Sequence, residues 1–118
     1  MNMEKPTADT VILVTNDGMG NAEKPLRVKL FGSYLRLLQD IEPLPTAICF
    51  YADGVKMVVE GSPVLDELKT LEEKGVLLIL CGTCLRYFQL TEKIVVGFQG
   101  GMPDIIEAQW KADKLIRI

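Results

Sequence analysis

An α/β protein built on a mostly parallel sheet with helices on both faces is what this sequence predicts, and three observations predict it. Strand-like and helix-like segments alternate along the chain. The strand-like segments are continuous apolar runs, as expected for strands covered on both sides, rather than the apolar-polar alternation of a half-exposed sheet. The helix-like segments between them have one apolar and one polar side, which suits helices laid on a sheet with their polar side in water. Parallel strands joined in this way take right-handed crossovers.

Taken in order, Thr10 to Thr15 (TVILVT) is the first buried strand, and it ends at Asn16-Asp17-Gly18. Pro25 opens a helix, a position where its missing N–H is no loss. Leu26, Leu30, Tyr34, Leu37 and Leu38 are expected on the inner side of that helix, with Arg27, Lys29, Arg36 and Gln39 facing out. Pro43 and Pro45 close it. Thr46 to Tyr51 (TAICFY) is the second strand, followed by an Asp53-Gly54 turn. Pro63 to Lys74 reads as an amphipathic helix with Leu65, Leu68 and Leu71 inward, stopped by Gly75. Val76 to Leu80 (VLLIL) is the third strand, and Leu85 to Phe88 can form a short helix. Ile94 to Val96 is expected as a short fourth strand, Pro103 to about Lys111 as a helix, and Leu115 to Ile118 as the fifth strand.

At 118 residues the chain has the length of one domain, so residues 1–118 are expected to form a single unit. With 48% hydrophobic residues and 25% charged, it has the apolar content to fold. Thirteen Lys and Arg against sixteen Asp and Glu give a formal charge of -3, which argues against a nucleic-acid partner. There is no histidine, so Ser-His-Asp and Cys-His catalysis are excluded, as is every metal site that needs imidazole. Chemistry then falls to three cysteines. Their odd number does not suit a disulfide framework, and the polar opening from Met1 to Asp9 has no leader pattern, so a reducing cytoplasm is expected. The longest apolar run, Val76 to Cys81, is too short to span a bilayer, and no membrane partner is expected. An apolar fraction this high on a small chain is hard to hide inside one layer pair, so a homo-oligomer is expected.

In a parallel sheet the loops leaving the carboxyl ends of the strands gather along one edge, where ligands bind. Here those loops are Asn16 to Lys24, Ala52 to Lys56, Cys81 to Cys84, and Gly97 to Met102. Cys81-Gly82-Thr83-Cys84 lies where the third strand hands over to a helix start, a setting that favours a thiolate and places Cys81 as the nucleophile. Gly82 would let the backbone approach a bound group. Two cysteines ending a strand can also be small hydrophobes and nothing more. Zinc would need a second half of its ligand set, which the chain lacks, since Cys49 sits inside an apolar strand. CGTC has the spacing of a redox dithiol, although it follows the third strand rather than an early one. Asn16-Asp17-Gly18-Met19-Gly20 holds only part of a dinucleotide fingerprint and reads as a turn bordering the site. Gly100-Gly101-Met102 is a flexible connection able to wrap a small anion or simply to join elements. Arg86 can steady an anionic sulfur species or be solvated, and Trp110 suits packing or an interface.

The run Leu77 to Phe88 (LLILCGTCLRYF), with Lys93-Ile94-Val95-Val96-Gly97 and Met102-Pro103-Asp104-Ile105, resembles the C-terminal domain of YedF-type sulfurtransferase-like selenium-metabolism proteins, within the DsrE-like superfamily of sulfur-relay proteins. The resemblance extends over nearly the whole chain, including the opening strand and Asn16-Asp17-Gly18-Met19-Gly20. It implies a three-layer α/β/α fold, frequent oligomerisation, and a cysteine after a central strand that carries sulfur as a persulfide. By that resemblance Cys81 takes the sulfur-carrying position and Cys84 that of the second cysteine. The sequence shows no counterpart of the group's SirA/TusA-like N-terminal domain with its Cys-Pro motif, so relay is expected between separate chains. Gly100-Gly101-Met102-Pro103 departs from the group's Asn-Met type of segment.

The expected function is therefore sulfur relay, linked to sulfur or selenium metabolism, with no cofactor and no metal. Cys81 and Cys84 are the expected chemical groups. Asn16, Asp17, Gly18, Gly82, Thr83, Gly100, Gly101 and Met102 are the expected substrate contacts. A SirA/TusA-like protein or a cysteine desulfurase is the expected donor or acceptor. A dithiol oxidoreductase and a non-catalytic binding subunit are the alternatives.

Overall fold

A computed structural model of the protein describes residues 9–118. The polar opening, apart from Asp9, lies outside the described residues. The elements run β1 (Thr10–Val14), α1 (Lys24–Leu38), β2 (Ala47–Phe50), a 3-10 segment (Ala52–Met57), α2 (Leu65–Glu73), β3 (Leu77–Cys81), α3 (Gly82–Tyr87), a 3-10 turn (Thr91–Lys93), β4 (Phe98–Gly100), α4 (Met102–Lys111) and β5 (Lys114–Arg117). The five strands form one sheet in the order β4-β3-β2-β1-β5, parallel at every pairing, with helices on both sides. The chain steps from β1 through β2 and β3 to β4, then crosses back to place β5 on the far side of β1.

The continuous apolar runs occupy the central strands because each is covered twice. β2 is buried at every position, as are Val11 to Val14 and Leu78 to Cys81. Burying each such large side chain contributes about 1.5–3 kcal/mol. Helix α2 places Leu68 and Leu71 inward and ends in a double closure: Gly75 N–H donates to the Glu72 carbonyl and Val76 N–H to the Leu71 carbonyl, each at 3.0 Å. Gly75 takes φ +100, the left-handed conformation this ending needs.

Helix α1 is rotated relative to the expected face. Phe31, Leu35 and Leu38 are buried, whereas Leu26, Leu30 and Leu37 are exposed. The reason is Arg27, which was expected to face out. Its guanidinium instead turns inward to bond the loop after β1, and residues 27, 31, 35 and 38 share one side of a helix. The Arg36–Glu67 ion pair at 3.5 Å holds α1 beside α2.

The fourth strand is also displaced from its expected place. Ile94 to Val96 does not join the sheet. Ile94 forms an antiparallel bridge with Val59, and the N–H groups of Val95 and Val96 both donate to the Val58 carbonyl. The apolar triplet is therefore held against the segment after β2, and Gly97, at φ +84, swings the chain onto β3. A Cβ at Gly97 would lie 2.9 Å from the Leu78 carbonyl oxygen, so the approach needs glycine. Phe98–Gly100 then pairs with Ile79–Cys81.

The rotation of α1 is tested by two truncations. Leu35→Ala should lower unfolding stability by about 2–5 kcal/mol in urea titrations, whereas Leu37→Ala should change it by less than about 0.5 kcal/mol.

Candidate functional site

Because every strand points the same way, the ends of β1, β2, β3 and β4 deliver their loops to one edge, and two cysteines stand at its centre. Cys81 ends β3 and caps α3, accepting the N–H of Cys84 at 3.4 Å. One turn of helix brings the Cys84 sulfur back over it, so that the Cys84 thiol donates to Cys81 Sγ at 3.0 Å. Cys84 Sγ in turn accepts the N–H of Ala52, from the 3-10 segment after β2, at 3.1 Å. Ala52 holds φ +53 to aim that N–H, a conformation costly for a residue with a side chain. The Cys84 thiol is raised above its ordinary pKa, first by burial and then by its hydrogen bond to Cys81, with the Ala52 N–H acting in the opposite direction.

Of the two thiols, the one expected as the nucleophile is the less accessible. Cys81 is 2% exposed, while Cys84 is only half-buried. The first turn of short α3 brings the second cysteine against the first. Cys49 lies in β2 at 0% exposure, and burial pushes its thiol up to about 11.

The other expected site residues divide into those beside the thiols and those set apart. Gly100 pairs with Cys81 across the β3–β4 ladder, and Gly101 and Met102 follow it into α4. The Gly101 N–H donates to the Asp104 carboxylate at 2.8 Å, which closes this turn from within. Gly82 is buried, and a Cβ there would meet Gln99 Nε2 at 2.8 Å and the Gly100 carbonyl at 3.1 Å. Its smallness admits β4 rather than the bound group that the sequence suggested. Thr83 is exposed, with its hydroxyl 3.5 Å from an Arg86 nitrogen.

Asn16, Asp17 and Gly18 form a separately organised loop. Asn16 donates through its amide to the Gly20 carbonyl at 3.1 Å and accepts the Asp17 N–H at 2.9 Å. Arg27 bonds Asp17 and the Ala22 carbonyl, each at 2.6 Å, with Lys24 at 3.6 Å from the same carboxylate. Gly18 is buried at φ +134, and a Cβ there would sit 2.5 Å from Arg27 Cβ. Asp17 and Gly18 therefore shape the loop rather than face outward. Burial pushes the Asp17 carboxyl up, but the hydrogen bond and charge of Arg27 outweigh it and hold the group below its ordinary value.

What sequence reasoning missed is Ala52, whose backbone N–H holds the second sulfur. No side chain announces that role; only the position of the loop after β2 gives it away. Gly54 in the same loop is buried against the Val14 carbonyl with no room for a Cβ, which presses the 3-10 segment across the ends of β1 and β2.

A wholly parallel sheet with helices on both sides and two neighbouring thiols at its carboxyl edge defines the class as a three-layer α/β protein. The chain belongs to the DsrE/DsrF-like family, whose model matches residues 7–118, and that family is generally associated with sulfur relay. Two solved structures share the fold. One is the protein of unknown function MTH1491 from Methanobacterium thermoautotrophicum, with a TM-score of 0.70 and 22% identity, over 94% of this chain and 99% of that one. The other is the ychN protein from E. coli, with a TM-score of 0.66 and 18% identity, over 93% of this chain and 99% of that one. Comparison with curated proteins finds no match. Among the described residues no helix is long and apolar enough to cross a membrane.

Two outcomes follow from this geometry. Iodoacetamide at neutral pH should label Cys84 first and Cys49 last, and Cys84→Ala should speed labelling of Cys81 severalfold, read by peptide mapping. The depressed Asp17 carboxyl contributes stability that is present above its unfolded value of 3.8 and is lost as pH falls through the lower folded value. Arg27→Met should therefore flatten the acid limb of the stability profile, measured by thermal melting between pH 7 and pH values of about 2.

Proposed function

We propose that this protein receives, holds and hands on a sulfane sulfur at Cys81, with Cys84 as the partner thiol. The observation that carries the reading is the 3.0 Å hydrogen bond between the two sulfurs at the carboxyl edge of the sheet. Cys81 Sγ collects two hydrogen-bond donors, one of them the Cys84 thiol, whose pKa burial raises. Membership of a family associated with sulfur relay supports the same chemistry.

The Cys81 thiolate attacks the outer sulfur of a donor persulfide. A new S–S bond forms at Cys81, the donor's S–S bond breaks, and the donor leaves as its thiolate with the electron pair. Rotation of the Cys84 side chain about its single χ1 uncovers Cys81 for this step. The sulfur is discharged when an acceptor thiolate attacks the outer sulfur and regenerates the Cys81 thiolate. Attack by Cys84 on Cys81 Sγ instead expels hydrosulfide and leaves a Cys81–Cys84 disulfide, which a thiol reductant must reopen. A SirA/TusA-like protein or a cysteine desulfurase fits the donor or acceptor role, and the same attack serves a selenium analogue. The work takes place in a reducing cytoplasm, in an oligomer of this chain.

The closeness of the two sulfurs also favours a second reading, a dithiol oxidoreductase that cycles the pair without bound sulfur. Intact mass spectrometry separates them. Incubated with a cysteine desulfurase and cysteine, the wild type should gain one sulfur atom, removed by reductant. Cys84→Ser should keep the adduct longer, and Cys81→Ser should lose it. A Cys81–Cys84 disulfide as the sole product, together with efficient reduction of disulfide substrates, selects the oxidoreductase.

A further inference from the structure

Helix α1 carries two apolar sides and buries one of them. Phe31, Leu35 and Leu38 enter the core, whereas Leu26, Leu30 and Leu37 stand in solvent, Leu37 at 69% exposure. Tyr34, half-buried, lies between the two groups. With 3.6 residues to a turn, Leu26, Leu30, Tyr34 and Leu37 fall within an arc of about 80° on the helix. Their spacing of four, four and three residues is that of a seam packed against another helix. The turn after α1 continues the line: Asp40 N–H donates to the Leu37 carbonyl and Ile41 N–H to the Leu38 carbonyl, each at 3.1 Å, and Ile41 is exposed.

Beside the seam lies a cavity of about 290 Å³ between α1 and the edge strand β5, with Tyr34, Leu38 and Ile41 on one wall and Ile12 and Ile116 among the residues of the other. Tyr34 and Ile41 belong to both features, so seam and recess form one apolar surface. Exposed leucines scattered singly are normal, but a continuous line of them marks a contact.

The charges along the seam select its occupant. Lys29 and Asp40 stand on the flank of the seam away from the recess, toward opposite ends of it, and both are exposed. Neither forms an ion pair among the described residues. A parallel second copy would set Lys29 against Lys29 and Asp40 against Asp40. An antiparallel copy, turned about a two-fold axis near Ser33 and Tyr34, sets Leu30 against the partner's Leu37, Leu26 against the partner's Ile41, and Lys29 beside the partner's Asp40. A two-fold contact requires a surface that complements itself, and this seam does so in the antiparallel sense.

We propose that the exposed seam of α1 is the contact between two copies of this chain, packed antiparallel, with the partner's Leu26 entering the recess beside Ile41. The carboxyl edges of the two sheets then point in opposite directions, and each thiol pair stays open to its own donor or acceptor. This assignment names the surface for the oligomer proposed above and is independent of the sulfur chemistry.

Sedimentation velocity across the micromolar range tests it. Wild type should contain two copies or a multiple of two. Leu30→Asp and Leu37→Asp should each raise the dissociation constant about a hundredfold, because each leaves an unpaired carboxylate in an apolar contact. Circular dichroism of the dissociated variants should stay native, since neither side chain enters the core; for the same reason Leu37→Ala spares the fold of the single chain. Lys29→Asp and Asp40→Lys, both on the exposed flank, should each weaken association about fivefold, and the two together should restore it. Monomeric wild type at every concentration, or an oligomer that ignores both leucine-to-aspartate changes, overturns the assignment. Single reversals whose combination fails to restore association overturn the antiparallel arrangement. Loading of Cys81 by a cysteine desulfurase should be the same in Leu37→Asp as in wild type, so the sulfur-relay reading stands or falls on that measurement alone.

Discussion

Everything at the functional edge depends on the parallel pairing of the strands. A parallel pair cannot be joined by a tight turn, so each strand must be followed by a crossover that leaves the sheet at its carboxyl end. With all pairings parallel, four loops of unrelated sequence arrive side by side, and three of them each bring one ingredient. The loop after β3 brings the cysteines, the loop after β2 brings the N–H that holds the second sulfur, and the turn after β4 packs against the first. None of these loops makes a site alone. The sheet supplies the register that puts Gly100 opposite Cys81 and so closes one flank.

The loops themselves are kept rigid by short polar ties rather than by core packing. Arg27 crosses from α1 to bond both ends of the segment after β1, and Asp104 reaches back to the turn that precedes α4. In both cases a charged side chain from a helix takes up backbone or carboxylate groups that would otherwise face water. The pattern spares the loops any need for large apolar residues, leaving polar groups to face outward at the carboxyl edge.

How much of this was legible in the sequence varies with the physics involved. The three central strands stood out because continuous apolar runs have few other uses in a small protein, and the alternation with helices led directly to the layered fold. The Gly75 ending of α2 was equally plain, since few residues tolerate its backbone conformation. Two features were hidden for identifiable reasons. Helix α1 has apolar residues around much of its surface, so its rotation was decided by a tertiary bond from Arg27 that periodicity does not encode. The fourth strand was placed on Ile94 to Val96 because that triplet is β-branched and apolar, yet it is held by Val58 and Val59, and the short edge strand that joins the sheet is less apolar. At the site, the cysteine pair and its position between strand and helix were readable from spacing. Which sulfur is open to solvent was not, because that depends on the backbone of Ala52 and the fold of α3 across the strand end.

The packing of Gly82 sets a limit on how this motif can change. In a two-cysteine motif the residues between the thiols are the usual place to adjust how readily the pair exchanges electrons or sulfur, because they sit nearest both sulfurs. Here the first of those two positions faces Gln99 and the Gly100 carbonyl and has no space for a side chain. Only Thr83, which points into solvent, is open to variation. A lineage of such proteins would therefore adapt the reactivity of the pair through one residue of the motif and through the loop after β2, and a change at Gly82 would have to be accompanied by a matching change in the edge strand.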